Sequence, residues 1–166
     1  MFLAYLILAL VALQRLAELV YANRNTRALL ARGAVEAGRG HYPLMVALHA
    51  AWLAAIAVFL PNPPQIQWIA LAVFLVLQAL RVWVLATLGP YWTTRIITLP
   101  GAPLVKRGPY RFLRHPNYVV VTGEIAALPL VFGEVIVAIV FTVLVLGLLA
   151  WRIKIEDAAL ASRRQQ

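Results

Sequence analysis

The sequence predicts an all-α, polytopic transmembrane bundle of five helices. Three observations point there. Of 166 residues, 63% are hydrophobic and only 13% charged, with a mean hydropathy of +0.84. Soluble domains carry about half apolar and about a quarter charged residues, and disordered chains need low hydrophobicity. Apolar runs of bilayer length recur along the chain, closed by proline, glycine or charge. The basic residues gather in three segments that alternate with nearly uncharged ones. The net charge of +9 does not fit a nucleic-acid module, which would not carry such apolar runs. The absence of cysteine excludes disulfide scaffolds, thiolate metal sites and cysteine nucleophiles.

A hydrocarbon core of about 30 Å needs roughly 20 apolar residues per helix. The first span runs from about Phe2 to Ala22. Without a basic start or a small-residue cleavage site, and with Arg15 and Glu18 interrupting it, it reads as a retained helix and not a signal peptide. The second span runs from about Pro43 to Leu60 and stops at the PNPP of residues 61–64. The third runs from about Gln65 to Leu88 and stops at Gly89-Pro90. The last apolar block, about Tyr118 to Ile155, is too long for one span, and Pro129 and Gly133 divide it into a helical hairpin. Its first arm, Tyr118 to Phe132, is short, about 22 Å at the helical rise. The chain shows no internal repeat. It divides into three N-terminal helices over 1–88 and a loop, hairpin and C-terminal cap over 89–166, forming one structural unit.

Loop charges set the orientation. Residues 23–42 carry Arg24, Arg27, Arg32 and Arg39. Residues 89–117 carry Arg95, Lys106, Arg107, Arg111 and Arg114, and the C-terminal end carries Arg152, Lys154, Arg163 and Arg164. Residues 61–64 carry no charge, and the hairpin tip has Glu134 alone. Five spans place the basic segments on one side, as the positive-inside rule requires. The N-terminus is then outside and the C-terminus cytoplasmic, in what reads as a bacterial cytoplasmic membrane.

Ionisable groups in lipid are costly and therefore informative. Gln14, Arg15, Glu18, Gln78, Arg81, His49, Glu124, Arg152 and Glu156 all fall in the cytoplasmic halves of their spans. Structural ion pairing is one explanation, with Arg15 and Glu18 at helical i,i+3 spacing. A polar cavity open to the cytoplasm is the other. The loop over 89–117 is basic and aromatic, with Tyr91, Trp92, Tyr110 and Phe112. It either grips anionic headgroups or covers that cavity. His41 and His49 are eight residues apart, about 12 Å along a helix, and no His, Asp or Glu spacing suggests a metal site.

Residues 108–118, GPYRFLRHPNY, resemble the Gly-x-Tyr-x3-Arg-His-Pro-x-Tyr motif of the isoprenylcysteine carboxyl methyltransferase family. The second half of that signature, an Arg followed four residues on by two acids, resembles Arg152, Glu156 and Asp157 in RIKIEDAAL. Two positions depart from the pattern: Val120 stands where Gly is frequent, and Asp157 where the second Glu stands. The first bears on how the hairpin packs, the second on the role of Asp157. Residues 15–49 are similar to a bacterial branch associated with type III polyketide synthases, which implies methylation of alkylpyrones or alkylresorcinols.

The resemblance implies an integral membrane enzyme that uses S-adenosyl-L-methionine. It implies that Leu104, Val105, Tyr110, His115, Pro116, Asn117, Tyr118 and Glu156 bind that cofactor. Aromatic faces suit a sulfonium, and a carboxylate suits an ammonium or hydroxyls. Outside the motif, His115 would be an ordinary loop hydrogen-bonder, and Tyr110 and Tyr118 interfacial belt residues. Arg114 and Arg95 are equally explained as topology charges or headgroup contacts. Arg152 is the candidate for orienting an anionic acceptor, because its planar fork matches a carboxylate or enolate. Glu124 is the candidate base for a hydroxyl acceptor, or else an ion-pair partner of Arg81 or Arg152. The acceptor would be a lipophilic molecule entering from the bilayer, the other partners being membrane lipids; no nucleic acid is implied. Two alternatives stand beside the methyltransferase: a sterol-reductase-like membrane reductase using a nicotinamide cofactor, and a non-enzymatic membrane scaffold or small transporter. The former would need more spans and motifs than 166 residues hold, and transporters usually show repeats.

Overall fold

The computed structural model describes residues 1–164, with side chains through Ala161. The charges counted at Arg163 and Arg164 lie outside those described side chains. Among the described residues the chain forms five α-helices: α1 (Phe2–Ala31), α2 (Tyr42–Phe59), α3 (Trp68–Leu88), α4 (Pro116–Val131) and α5 (Val135–Arg164). Four of them, all but α4, are long and apolar enough to cross a membrane. With 16 residues, α4 extends about 24 Å.

Its neighbours explain why a short helix is tolerated. It packs mainly between α3 and α5, and Ile125, Leu128 and Val131 are fully enclosed with Trp52 and Ile56 of α2. The indole of Trp52 donates to the Ile125 carbonyl at 3.2 Å. A Cβ at Gly123 of α4 would lie 2.9 Å from Cδ2 of Leu77 on α3, so the missing side chain sets the α3–α4 spacing. The hairpin turn is where Pro129 and Gly133 placed it. Pro129 falls inside the last turn of α4. Gly133, at φ +80°, closes the helix, with Gly133 N–H donating to Leu130 and Glu134 N–H to Pro129. This 5→2 and 6→1 pair is the Schellman arrangement that glycine favours.

Three elements differ from the sequence expectation. Helix α1 continues nine residues beyond Ala22 to Ala31. Ala22, Asn25, Thr26 and Leu29 are buried at i, i+3, i+4, i+7 spacing, so a second, amphipathic stripe extends the helix after the apolar run ends. Helix α5 likewise continues past Ile155. The all-α expectation misses a small antiparallel pair, β1 (Val35–Ala37) with β2 (Ile96–Thr98), in which Glu36 faces Ile97. The β-branched Ile96, Ile97 and Thr98 favour an extended segment.

That pair ties the α1–α2 connection to the α3–α4 loop. Both strands also touch α5. The three basic segments therefore share one end of the bundle. At the other end, Gln67 N–H donates to the Val131 carbonyl at 2.8 Å, which joins the α2–α3 connection to the hairpin turn.

Candidate active site at the basic end of the bundle

The polar residues expected to converge on one cavity divide into two groups. The deeper group is an ion-paired network, and Gln14, Glu18, Gln78 and Arg81 of it also line a second cavity of about 420 Å³. Glu124, fully enclosed, accepts from Arg81 Nε at 2.7 Å and 3.0 Å and from Arg15 Nη2 at 2.9 Å, and a further short contact comes from Arg81 Nη2. Glu18 accepts from Arg81 Nη1 at 2.9 Å and Arg15 Nη1 at 3.1 Å. Gln14 donates to Glu18 and to Gln78, each at 3.0 Å. Two arginines and two glutamates cancel in charge, which is what a low-dielectric interior requires. Glu124 thus pairs with Arg81 and Arg15, and not with Arg152. It is not among the residues that line the main cavity.

An apolar layer separates this network from the loop end. Ala22, Val84, Trp92 and Val120 pack together. Each of the three helical members sits one turn from Glu18, Arg81 or Glu124 respectively, on the loop side. Val120, one of the two departures from the family motif, fills this layer and packs near Tyr110.

Beyond the layer lies a cavity of about 580 Å³, within the range of small-molecule sites. One wall is the first turn of α4. His115 is its N-cap and Pro116 occupies the first helical position, where its fixed φ and missing N–H are suited. The facing wall is the stripe Arg152, Glu156 and Leu160 on α5, at i, i+4, i+8. The loop closes the rest with Trp92, Leu104, Val105 and Tyr110. Of the residues the resemblance implied for a cofactor, Leu104, Val105, Tyr110, His115, Asn117, Tyr118 and Glu156 all line this cavity. Pro116 is buried behind it and shapes the turn.

The two halves of the motif meet across α4 and α5. The Tyr118 hydroxyl donates to Glu156 Oε2 in a short contact and accepts from Arg152 Nε at 2.7 Å. The His115 ring stacks on Tyr118, with centroids 5.2 Å apart and planes 10° from parallel. His115 Nε2 lies 3.2 Å from Asp157 Oδ1, and Nδ1 lies 3.7 Å from Glu156 Oε1. The shorter Asp157 therefore still reaches the histidine. Tyr110 is held above its ordinary phenol range by burial first and by the Glu156 carboxylate second, so its hydroxyl stays protonated. Arg95 lines the cavity but is engaged, 3.4 Å from Glu36 and 4.7 Å above the Tyr42 ring. Arg114 lines the cavity too.

His41 is a residue that sequence reasoning weighed as a metal ligand and not as part of this site. Its Nε2 lies 2.8 Å from Arg152 Nη1, across 111 residues of chain. His49 is elsewhere, with Nδ1 2.8 Å from the Met45 carbonyl and its ring edge-on to Trp52. No local pattern at His41 signals its partner; the contact is made by folding.

The chain is 38% identical over 160 residues to "Uncharacterized protein YpbQ" of Bacillus subtilis, covering 94% of this chain and 95% of that one. An "Uncharacterized protein" of Haemophilus influenzae is 29% identical over 144 residues, 83% of each chain. No solved structure matches the chain. Residues 68–162, which hold every element of the cavity from α3 onward, match the isoprenylcysteine carboxyl methyltransferase (ICMT) family. The chain belongs to that family of membrane methyltransferases.

Proposed function

We propose that the protein is an S-adenosylmethionine-dependent O-methyltransferase acting on a lipophilic acceptor. The acceptor class is an isoprenylcysteine-type carboxylate or the hydroxyl of a long-chain alkylpyrone or alkylresorcinol. The observation that carries the reading is the wall formed by Arg152, Tyr118, Glu156 and His115 on one cavity.

Two buried polar atoms support a fit to the cofactor. Asn117 Oδ1 and Trp92 Nε1 are buried atoms of residues that line this cavity, and neither has a partner among the described residues. One accepts and the other donates, and a molecule with an amino-acid end, ribose hydroxyls and an adenine can satisfy both. When bound, S-adenosylmethionine supplies a methyl on a sulfonium; the acceptor oxygen gains it as the sulfur keeps the bonding pair. The chain's own residues then bind and orient. Glu156 and Asn117 accept from the ammonium or ribose hydroxyls. Tyr110 and Tyr118 present aromatic faces to the sulfonium. Leu104 and Val105 exclude water, and Arg152 aligns an anionic acceptor with the methyl. A carboxylate needs no base. For a hydroxyl acceptor Glu124 would have to leave Arg81 and Arg15, so an acceptor that arrives already ionised suits this site best.

In this reading the basic end faces the cytoplasm, from which the cofactor enters, and the acceptor arrives from the bilayer. Single cysteines at Asn62 and Arg111 test the orientation by accessibility labelling, since the chain has no native cysteine; labelling from one side would refute it. The activity is tested by calorimetry of S-adenosylmethionine and S-adenosylhomocysteine on detergent-purified protein. Native protein should bind, and His115→Ala and Glu156→Ala should bind at least tenfold more weakly. No binding by native protein overturns the proposal, and binding of a nicotinamide dinucleotide instead would favour a reductase. Radiolabelled cofactor offered with farnesylcysteine analogues and with alkylresorcinols separates carboxyl from hydroxyl transfer.

A further inference from the structure

Arg152 is a buried cation, 6% exposed, whose hydrogen-bond partners are both uncharged. Its Nε donates to the Tyr118 hydroxyl at 2.7 Å, and its Nη1 lies 2.8 Å from His41 Nε2. Among the described residues it makes no ion pair. A guanidinium is always a donor. His41 Nε2 must therefore offer a lone pair, which places the imidazole proton on Nδ1 and leaves the ring neutral. Nη2 has no protein acceptor among the described residues, and Arg152 lines the cavity.

The N-terminal segment is built to hold His41 at this point. His41 is 1% exposed. The edge of its ring meets Trp151, with centroids 6.0 Å apart at 76°. Gly38, at φ +61°, turns the chain against α5: a Cβ there would lie 2.7 Å from Ile155 Cγ2 and 3.1 Å from His41 Nδ1. His41 also lies outside residues 68–162, the part that matches the family. A carboxylate in its place would hold Arg152 equally well but would cancel its charge. A neutral acceptor holds the guanidinium without placing a second negative charge beside it, Glu156 already lying across the Tyr118 hydroxyl.

We infer that His41 is a positioning residue that fixes Arg152 through a neutral lone pair, keeping the free guanidinium edge for an anionic acceptor and adding no second carboxylate to Glu156. The inference rests on the methyltransferase reading for the identity of that acceptor. It does not rest on turnover, because the charge preference of the site can be read by binding alone.

The probe is a farnesylcysteine analogue as the free carboxylate and as its methyl ester, titrated calorimetrically into detergent-purified protein. Native protein should bind the carboxylate at least tenfold more tightly than the ester. His41→Leu, which removes the acceptor, should reduce that preference about tenfold or more, as misplaced charged groups do. His41→Gln, whose amide oxygen can accept from Arg152, should keep it within about threefold of native. His41→Glu should lose the preference while its melting temperature equals or exceeds that of native protein, a pairing that a purely structural histidine would not give. Equal binding of acid and ester by native protein overturns the inference. So does a His41→Glu variant that keeps the native preference, or a His41→Gln variant that is folded yet loses it. Failure of the methyltransferase reading would look different: the carboxylate preference and its dependence on residue 41 would persist, with no cofactor binding and no methyl transfer.

Discussion

The Tyr118 hydroxyl on α4 donates to the Glu156 carboxylate on α5, 38 residues later, and in the same position accepts from Arg152. One phenol thus separates a buried cation from an anion four residues along the same helix. Both side chains line the cavity while the hydroxyl keeps them from a direct ion pair. Tyr118→Phe should remove both contacts at once. Net hydrogen bonds to charged groups are worth about 1.5–3 kcal/mol. Cofactor affinity should fall about tenfold, and thermal stability in detergent should drop measurably. Calorimetry with S-adenosylhomocysteine checks the first, a melting curve the second; a variant that matches native protein in both refutes the bridging role.

The Arg15–Glu18–Arg81–Glu124 network predicts a second outcome. Glu124→Gln leaves two buried arginines facing Glu18 alone. Breaking one partner of a buried pair costs about 3–5 kcal/mol, so this variant should be the least stable of the single substitutions at that site. Arg81→Met combined with Glu124→Gln restores charge balance through Arg15 and Glu18. The double variant should lose less than the sum of its parts, by about 1–3 kcal/mol. Melting curves of the four proteins complete the cycle. A Glu124→Gln protein that melts like native but transfers no methyl group would show Glu124 acting as the base instead.

Gly108, the first residue of the motif, supports a third prediction. It has φ +56°, and a Cβ there would lie 2.5 Å from Thr87 Oγ1 and 3.0 Å from Thr87 Cγ2. Thr87 is itself held by a hydrogen bond to the Trp83 carbonyl at 2.7 Å. Gly108→Ala should destabilise the protein through both clash and left-handed backbone. Adding Thr87→Ala should recover the clash and leave the backbone penalty of about 1–2 kcal/mol. Full recovery in the double variant would show that the backbone conformation is not constrained.

Much of this architecture was legible because apolar runs report the bilayer directly. The boundaries of α2, α3 and the α4–α5 turn follow from PNPP, Gly89 and Gly133. Helix α1 was underestimated for the same reason: hydropathy reports the apolar run, whereas Ala22, Asn25, Thr26 and Leu29 continue the helix by a buried stripe beyond that run. The strand pair was missed because Val35 and Thr98 meet across 63 residues, and three-residue strands leave little local pattern. Within the site, the motif residues could be named from spacing and resemblance. Partner choice could not. Arg81 and Arg152 were both candidates for Glu124, while Arg15 was matched only to Glu18; helix rotation and depth bring Arg81 and Arg15 to Glu124 and leave Arg152 away from it. His41 was invisible for the same reason, since its role depends on where Arg152 lies.

Glu134, at the turn between α4 and α5, yields a prediction in pH. It is 7% exposed, and neither carboxylate oxygen has a partner among the described residues. Burial pushes its carboxyl up from 4.5 to about 7. Between those values the folded protein keeps a proton that the unfolded chain has released. The folded state then binds more protons, so stability falls as pH rises through that window. The N-terminus of α5 favours the charged form and trims the effect. About 1 kcal/mol or more should still be lost between pH 5 and pH 8. Glu134→Gln should match native protein near pH 5 and exceed it near pH 8. Histidine titration affects both proteins alike, so the difference between their melting profiles isolates this carboxyl. Parallel profiles across the window would mean that Glu134 ionises in the folded protein as freely as in the unfolded chain.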